Sequence, residues 1–136
     1  MGYYIYVKDS KFSIKQENLV KSLKAIQALR GKETIKDYRG EHFSWVSDNF
    51  YTIDNIHEML DEWRWKASYT EEGDIKGISF LGEKFGDDKF LFQALAPYVE
   101  VGSYIHFVGE DGEQWRYEFD GKVMKEKKAK ITFEDN

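Results

Sequence analysis

Metal chemistry would be sought first in the run His57-Glu58-Met59-Leu60-Asp61. A zinc protease sets two histidines one helical turn apart, with a glutamate between them to activate water. Here Asp61 stands where the second histidine would be. The spacing keeps His57 and Asp61 on one helical face, and an exposed His–Asp pair accounts for it equally well. The chain has no cysteine, so thiolate catalysis, disulfides and cysteine zinc sites are excluded. No Gly-x-Ser-x-Gly turn is present to expose a serine nucleophile. The segment Gly82-Glu83-Lys84-Phe85-Gly86-Asp87-Asp88 lacks the spacing of a phosphate-binding loop and puts two carboxylates where phosphate would sit. It reads as a strand-to-helix connection with an aspartate cap.

Adjacent carboxylates recur at Asp61-Glu62, Glu71-Glu72, Asp87-Asp88 and Glu110-Asp111. A glycosidase needs two carboxylates facing each other across a cleft, whereas neighbouring acids at turns are ordinarily solvated. His106 is the one histidine set among ring-bearing neighbours, and it is the candidate for ligand binding or acid–base work. No catalytic residue, cofactor or metal ligand is assigned from these patterns.

The elements that must position these residues follow from periodicity. Tyr3 to Val7 alternates as a strand and turns at Asp9-Ser10. Ser13 and Gln16 have capping-box spacing, and Leu19, Val20, Leu23 and Ile26 carry a helix to about Leu29, stopped by Gly31. Residues 43–46 read as a short strand. Thr52 is the expected cap of a second helix through Ile53, Ile56, Leu60 and Trp63. The period then changes to two. With Glu72-Gly73 as the turn, Trp65 faces Phe80 and Ala67 faces Ile78. A third helix buries Leu91, Ala94, Leu95 and Tyr98, with Pro97 in its last turn.

Asp111-Gly112 and Asp120-Gly121 mark two tight turns. Counted as two-residue loops, they pair Val108 with Trp115, His106 with Tyr117 and Tyr104 with Phe119, and they set Met124 beside Tyr117. Phe107, Ile105, Gln114, Arg116 and Glu118 then take the opposite face. The expected fold is α+β: an antiparallel sheet comprising a C-terminal three-stranded meander, a central hairpin and an N-terminal strand, with about three helices packed on one face. Residues 1–136 form a single domain on this reading. Lysines 122, 125, 127, 128 and 130 crowd the last strand, as an edge protected against edge-to-edge pairing would show.

A net charge of -5 and a pI near 5.3 repel phosphate backbones, so nucleic acid is disfavoured as a partner. No apolar run is long enough for a membrane span. The opening residues lack a charged-then-apolar leader, so a cytoplasmic location is expected. Rings make up 17% of the chain, more than a small core readily holds, and exposed rings are common at binding surfaces.

Several stretches resemble one group of proteins. They are Leu81-Gly82-Glu83-Lys84-Phe85-Gly86-Asp87-Asp88, Ala96-Pro97-Tyr98-Val99-Glu100, Gly102-Ser103-Tyr104-Ile105, Gly109-Glu110-Asp111-Gly112 with Trp115-Arg116, and the earlier Gly2-Tyr3-Tyr4-Ile5, Glu17-Asn18-Leu19 and Glu62-Trp63-Arg64-Trp65. Together they resemble small acidic proteins of bacteria and of their phages and mobile elements. The resemblance covers most of the chain, carries no activity with it, and implies a cytoplasmic accessory protein.

The function expected is a non-enzymatic, protein-binding accessory module. Its candidate interaction residues are Phe107, Arg116, Glu110, Asp111 and Glu113, on the face opposite Trp115 and at the adjoining turn. Acidic turns, including Glu71, Glu72, Asp87 and Asp88, would imitate phosphates if they shared one face. Two alternatives stand beside it: an enzyme or small-ligand binder around His106 and Tyr117, and a nucleic-acid binder on the lysine-rich last strand.

Overall fold

Among the described residues, five segments rich in β-branched or aromatic residues and a sixth made mostly of lysine pair as antiparallel strands, and three helices close over them. A computed structural model describes residues 2–30, 43–130 and 132–134. The strands are β1 (Ile5–Lys11), β2 (Trp65–Tyr69), β3 (Ile75–Phe80), β4 (Tyr104–Gly109), β5 (Gln114–Phe119) and β6 (Met124–Lys128). The helices are α1 (Leu19–Gln27), α2 (Ile56–Glu62) and α3 (Asp88–Leu95). One sheet runs β1-β4-β5-β6 and the other is the hairpin β2-β3. The α+β architecture expected from periodicity is the one observed.

The two sheets are joined at the ends of β1. Ile14 exchanges backbone bonds with Ile75, and Ile5 N donates to Glu83 O while Phe85 N donates to Tyr3 O. Between these seals no backbone hydrogen bond links β1 to β3 among the described residues. A groove of about 510 Å³ runs there, lined by Tyr6 to Ser10 and Ile78 to Phe80.

Local elements differ from expectation where tertiary partners compete. β1 does not turn at Asp9-Ser10. A bulge between Val7 and Asp9 keeps it paired with β4 to Lys11. The Ser13–Gln16 capping box does not form. Ser13 N donates to Ser103 Oγ, and Gln16 N is taken by Asp74 Oδ1 at 2.7 Å, so a short 3-10 turn precedes α1. Gly31 lies outside the described residues. Residues 43–46 form a turn rather than a strand. Asn55, not Thr52, caps α2, its side chain accepting from Glu58 N at 2.8 Å. That bond satisfies one of the orphan donors of the first turn.

The register of the central hairpin is as expected: Trp65 opposes Phe80 and Ala67 opposes Ile78. Its turn is one residue longer, with Thr70 N bonded to Asp74 O, and an irregularity between Ala67 and Tyr69 absorbs the extra residue. The C-terminal meander differs in register. Gly109 N bonds Glu113 O, leaving a three-residue loop with Gly112 at φ 86. Phe107 therefore opposes Trp115, Ile105 opposes Tyr117, and His106 opposes Arg116. A one-residue slip exchanges the two faces of β4. The next loop holds Gly121 and Lys122 rather than Asp120 and Gly121: Asp120 N bonds Val123 O, and Asp120 Oδ1 accepts from both Lys122 N and Val123 N. Met124 thus opposes Phe119 rather than Tyr117.

The core lies between the helices and one sheet face. Ile105, Phe107, Trp115, Tyr117 and Phe119 meet Phe12, Trp65, Leu91, Phe92 and Leu95 there. Phe92, outside the expected buried stripe of α3, is its central ring, packed edge-on against Phe12 and Trp65. Among the described residues no helix is long and apolar enough to cross a membrane. β6 is a sheet edge, as its lysines suggested.

Candidate functional site

Helix α2 ends in an abrupt change of direction at Arg64, where the backbone takes up a left-handed conformation. Arg64, the link between α2 and β2, has φ 70, and Trp45 has φ 68. These are the non-glycine residues with positive φ among those described, and such backbone costs about 1 kcal/mol or more. The two meet. The Arg64 guanidinium carbon lies 5.7 Å from the Trp45 ring centre and 5.2 Å from that of Phe80.

The guanidinium is tied down from below. Its Nη2 donates to Asp88 Oδ2 at 3.1 Å and its Nη1 to Lys84 O at 2.8 Å. Asp88, 1% exposed, also accepts from Trp65 Nε1 at 2.9 Å and Gly86 N at 3.0 Å. Burial pushes the Asp88 carboxyl above its ordinary value, opposed by the Trp65 indole, the Arg64 charge and the Gly86 amide. Arg64 Nε is enclosed without a hydrogen-bond partner among the described residues. Two glycines leave room for the guanidinium. A Cβ on Gly82 would come 2.9 Å from Arg64 Nη1, and one on Gly86 would come 2.8 Å from Nη2 and 2.7 Å from the Trp45 ring.

Above this pair opens a cleft of about 350 Å³ lined by Trp45, Arg64, Gly82, Glu83 and Lys84. Trp45 is 57% exposed at its mouth. Tyr4 and Leu81 are exposed beside it, Tyr4 with the Lys84 ammonium 5.2 Å from its ring centre and Leu81 bonded through its N to Arg64 O.

The residues singled out from sequence are dispersed. Phe107 is fully buried and stacked on Trp115, so it offers nothing to a partner; the register slip placed it on the wrong face. Tyr117 is core, and its neighbour across the strand is Ile105. His106 is not among Tyr117 and Met124. It sits on the open face, with Nε2 2.8 Å from Gln114 Oε1 and Arg116 opposite. Arg116 is on that open face as expected, its guanidinium 4.8 Å from the Tyr104 ring centre. Tyr104 donates to Asp9 Oδ2, which holds the Asp9 carboxyl below its ordinary value.

Glu110, Asp111 and Glu113 form the β4–β5 turn. Glu110 Oε1 accepts from Tyr4 N at 2.8 Å, and Asp111 accepts from the Tyr3 hydroxyl. Glu71 and Glu72 cap the β2–β3 turn, which is tied to the other end of β1 through Asp74 and Gln16. The acids therefore make no single phosphate-like row. His57 and Asp61 share no metal-binding cluster with a third His, Cys, Asp or Glu among the described residues. On β6, Lys125, Lys127 and Lys128 lie 3.7, 3.3 and 3.7 Å from Asp120, Glu118 and Glu113.

Trp45 and Arg64 were not among the residues singled out from the sequence. A sequence signal existed: a lone arginine between Trp63 and Trp65, where helical spacing becomes two, followed by Gly82 and Gly86 at close spacing. Comparison with family models, with curated proteins and with solved structures finds no match to this chain.

Proposed function

We propose that the chain is a non-enzymatic binding module whose partner is another protein, docked on the Trp45–Arg64 cleft. The observation that carries this reading is the exposed Trp45 ring, held by left-handed backbone over a guanidinium that a buried aspartate fixes in place. Strained backbone persists where its surroundings over-determine it, and such places concentrate at binding and switch sites. Trp, Tyr and Arg supply most of the binding energy at protein interfaces. The cleft's volume, near the lower end for small-ligand pockets, suits one anchoring side chain better than a cofactor. The resemblance to accessory proteins of phages and mobile elements, with a cytoplasmic location, agrees with this reading. The His106 reading has less support, since its ring nitrogen is bonded to Gln114 on an open face. The nucleic-acid reading is weakened by the carboxylates beside the β6 lysines.

The test is a photo-crosslinking residue placed at position 45, and separately at Arg116, in host lysate with and without nuclease. A protein crosslinked from position 45 in both samples, whose purified form binds the wild-type chain and binds Trp45→Ala about thirtyfold more weakly, supports the proposal. Crosslinks that form only from position 116, or that vanish with nuclease, overturn it.

A further inference from the structure

A second cavity, of about 340 Å³, opens on the other side of the Tyr3–Tyr4 segment. Lys84, with its ammonium 5.2 Å from the Tyr4 ring centre, lines the Trp45 cleft, whereas Tyr3 and Phe85, the neighbours of Tyr4 and Lys84 in sequence, line this one. Its walls are the rings of Tyr3, Phe85, Trp115 and Tyr117. Phe85 meets Trp115 edge-on with centroids 5.6 Å apart, and Tyr3 lies 6.5 Å from Trp115. The hydroxyl of Tyr3 is pinned by Asp111, and a Cβ at Gly109 would run into it, so glycine there lets the ring cross the turn. Glu113 and Glu126 line the rim.

Carboxylates are the main charges around this cavity, and the two ammoniums near it, Lys89 and Lys128, are each paired with one of them. The Tyr3 hydroxyl is pushed up to about 12, by its bond to Asp111 first and then by burial and the charges of Asp111 and Glu113. Burial, with Glu126 and Asp88, pushes up the Tyr117 hydroxyl. Ring faces are themselves negative. An ammonium already reaches the rim: Lys89 Nζ is 2.8 Å from Glu126 Oε1, in a pair exposed enough to be displaced.

We propose that this cavity binds an organic cation of the methylated-ammonium class, its methyl groups against the half-buried rings of Tyr3 and Phe85, over a floor formed by the buried Trp115 and Tyr117, and its charge facing Glu113 and Glu126. Such cations are the ones ring walls hold best, because little hydration must be given up as the charge meets the ring faces. The same chemistry occurs in a free quaternary amine and in a methylated lysine side chain. The site is independent of the Trp45 cleft, so either can fail without the other.

The experiment follows the Trp115 indole N–H and the Tyr3 and Phe85 ring resonances by NMR of the full chain. Tetramethylammonium chloride, choline chloride, a trimethyllysine peptide and its unmodified counterpart are titrated, with sodium chloride as reference. The expected result is saturable shifts with the methylated ammonium probes and none with sodium. Glu126→Gln weakens binding about fivefold. Lys89→Met, which removes the resident competitor, tightens it. Both positions are on the surface rim, so folding is retained and is checked by the unchanged remainder of the spectrum. A trimethyllysine peptide bound more tightly than tetramethylammonium assigns the cation to a protein side chain; binding of the small amines with the peptide excluded assigns it to a free amine. Shifts equal to those from sodium, or a dissociation constant unmoved by Glu126→Gln, overturn the proposal.

Discussion

Single residues at both clefts owe their roles to partners distant in sequence. Asp88 is a helix-start aspartate by pattern, yet its carboxylate is buried and organises Arg64, Trp65 and Gly86. Asp88→Ala takes away the acceptor shared by Arg64, Trp65 and Gly86 and leaves all three donors unpaired. We expect a loss of about 3 kcal/mol in urea unfolding, and a smaller combined loss with Arg64→Met, which removes the orphaned charge as well. Tyr3 answers differently. Its pKa is raised from an ordinary 10.0 to about 12, so the folded form holds the phenolic proton more tightly than the unfolded chain. That contribution is fully present below the unfolded value and fades as pH rises through the folded one. In Asp111→Asn the Tyr3 phenolate should appear near its ordinary pH, read by absorbance or ring NMR; titration unchanged from wild type would exclude the Tyr3–Asp111 clasp.

Loops decide the elements here. The β4–β5 turn has three residues where two were expected, and its Gly112 at φ 86 supplies the left-handed residue that closes such a loop. A Cβ there meets nothing within 4 Å, so the cost of Gly112→Ala is backbone strain alone. We expect about 1 kcal/mol, seen as a lower urea midpoint with unchanged slope. The central hairpin also has a longer turn, yet its pairing was legible in advance. A bulge between Ala67 and Tyr69 returns the strand to the register that Trp65–Phe80 burial demands. Burial selected the register there; in β4–β5 both registers offered large rings to the core, and turn geometry chose between them.

Across the whole molecule, charge shifts of opposite sign divide the pH scale. Asp9, Asp111 and Asp120 have carboxyls held below the ordinary 3.8 by hydrogen bonds from Tyr104, Tyr3 and the Lys122 and Val123 amides. Their stabilisation is present above that value and is lost as pH falls through their folded values. Asp88 has the opposite shift, so the folded state takes up its proton more readily than the unfolded one. Between 3.8 and its raised value, stability should decline as pH rises. Urea midpoints across this range are therefore expected to pass through a maximum in mild acid, and Asp88→Asn should flatten the descending limb. A monotonic rise through that range in the wild type would contradict the assignment.

Sequence alone determined the class of fold, because periods of 3.6 and 2 report which faces must be buried, whatever covers them. Apart from the strand expected over 43–46, the order of helices and strands was legible for that reason, as were the outward face of Arg116, the inward face of Trp115 and the edge character of the lysine strand. The tertiary structure decided the rest. Ser13 and Gln16 exchanged a local cap for bonds to Ser103 and Asp74, which no local pattern announces. The register of β4 depended on one loop residue, and with it the fate of Phe107 and His106. Both clefts are assembled by the seal between Tyr3–Ile5 and Glu83–Phe85, roughly eighty residues apart in sequence. Close approach across such a distance is set by how layers pack, and only the folded chain brings Trp45 over Arg64 or Tyr3 beside Trp115.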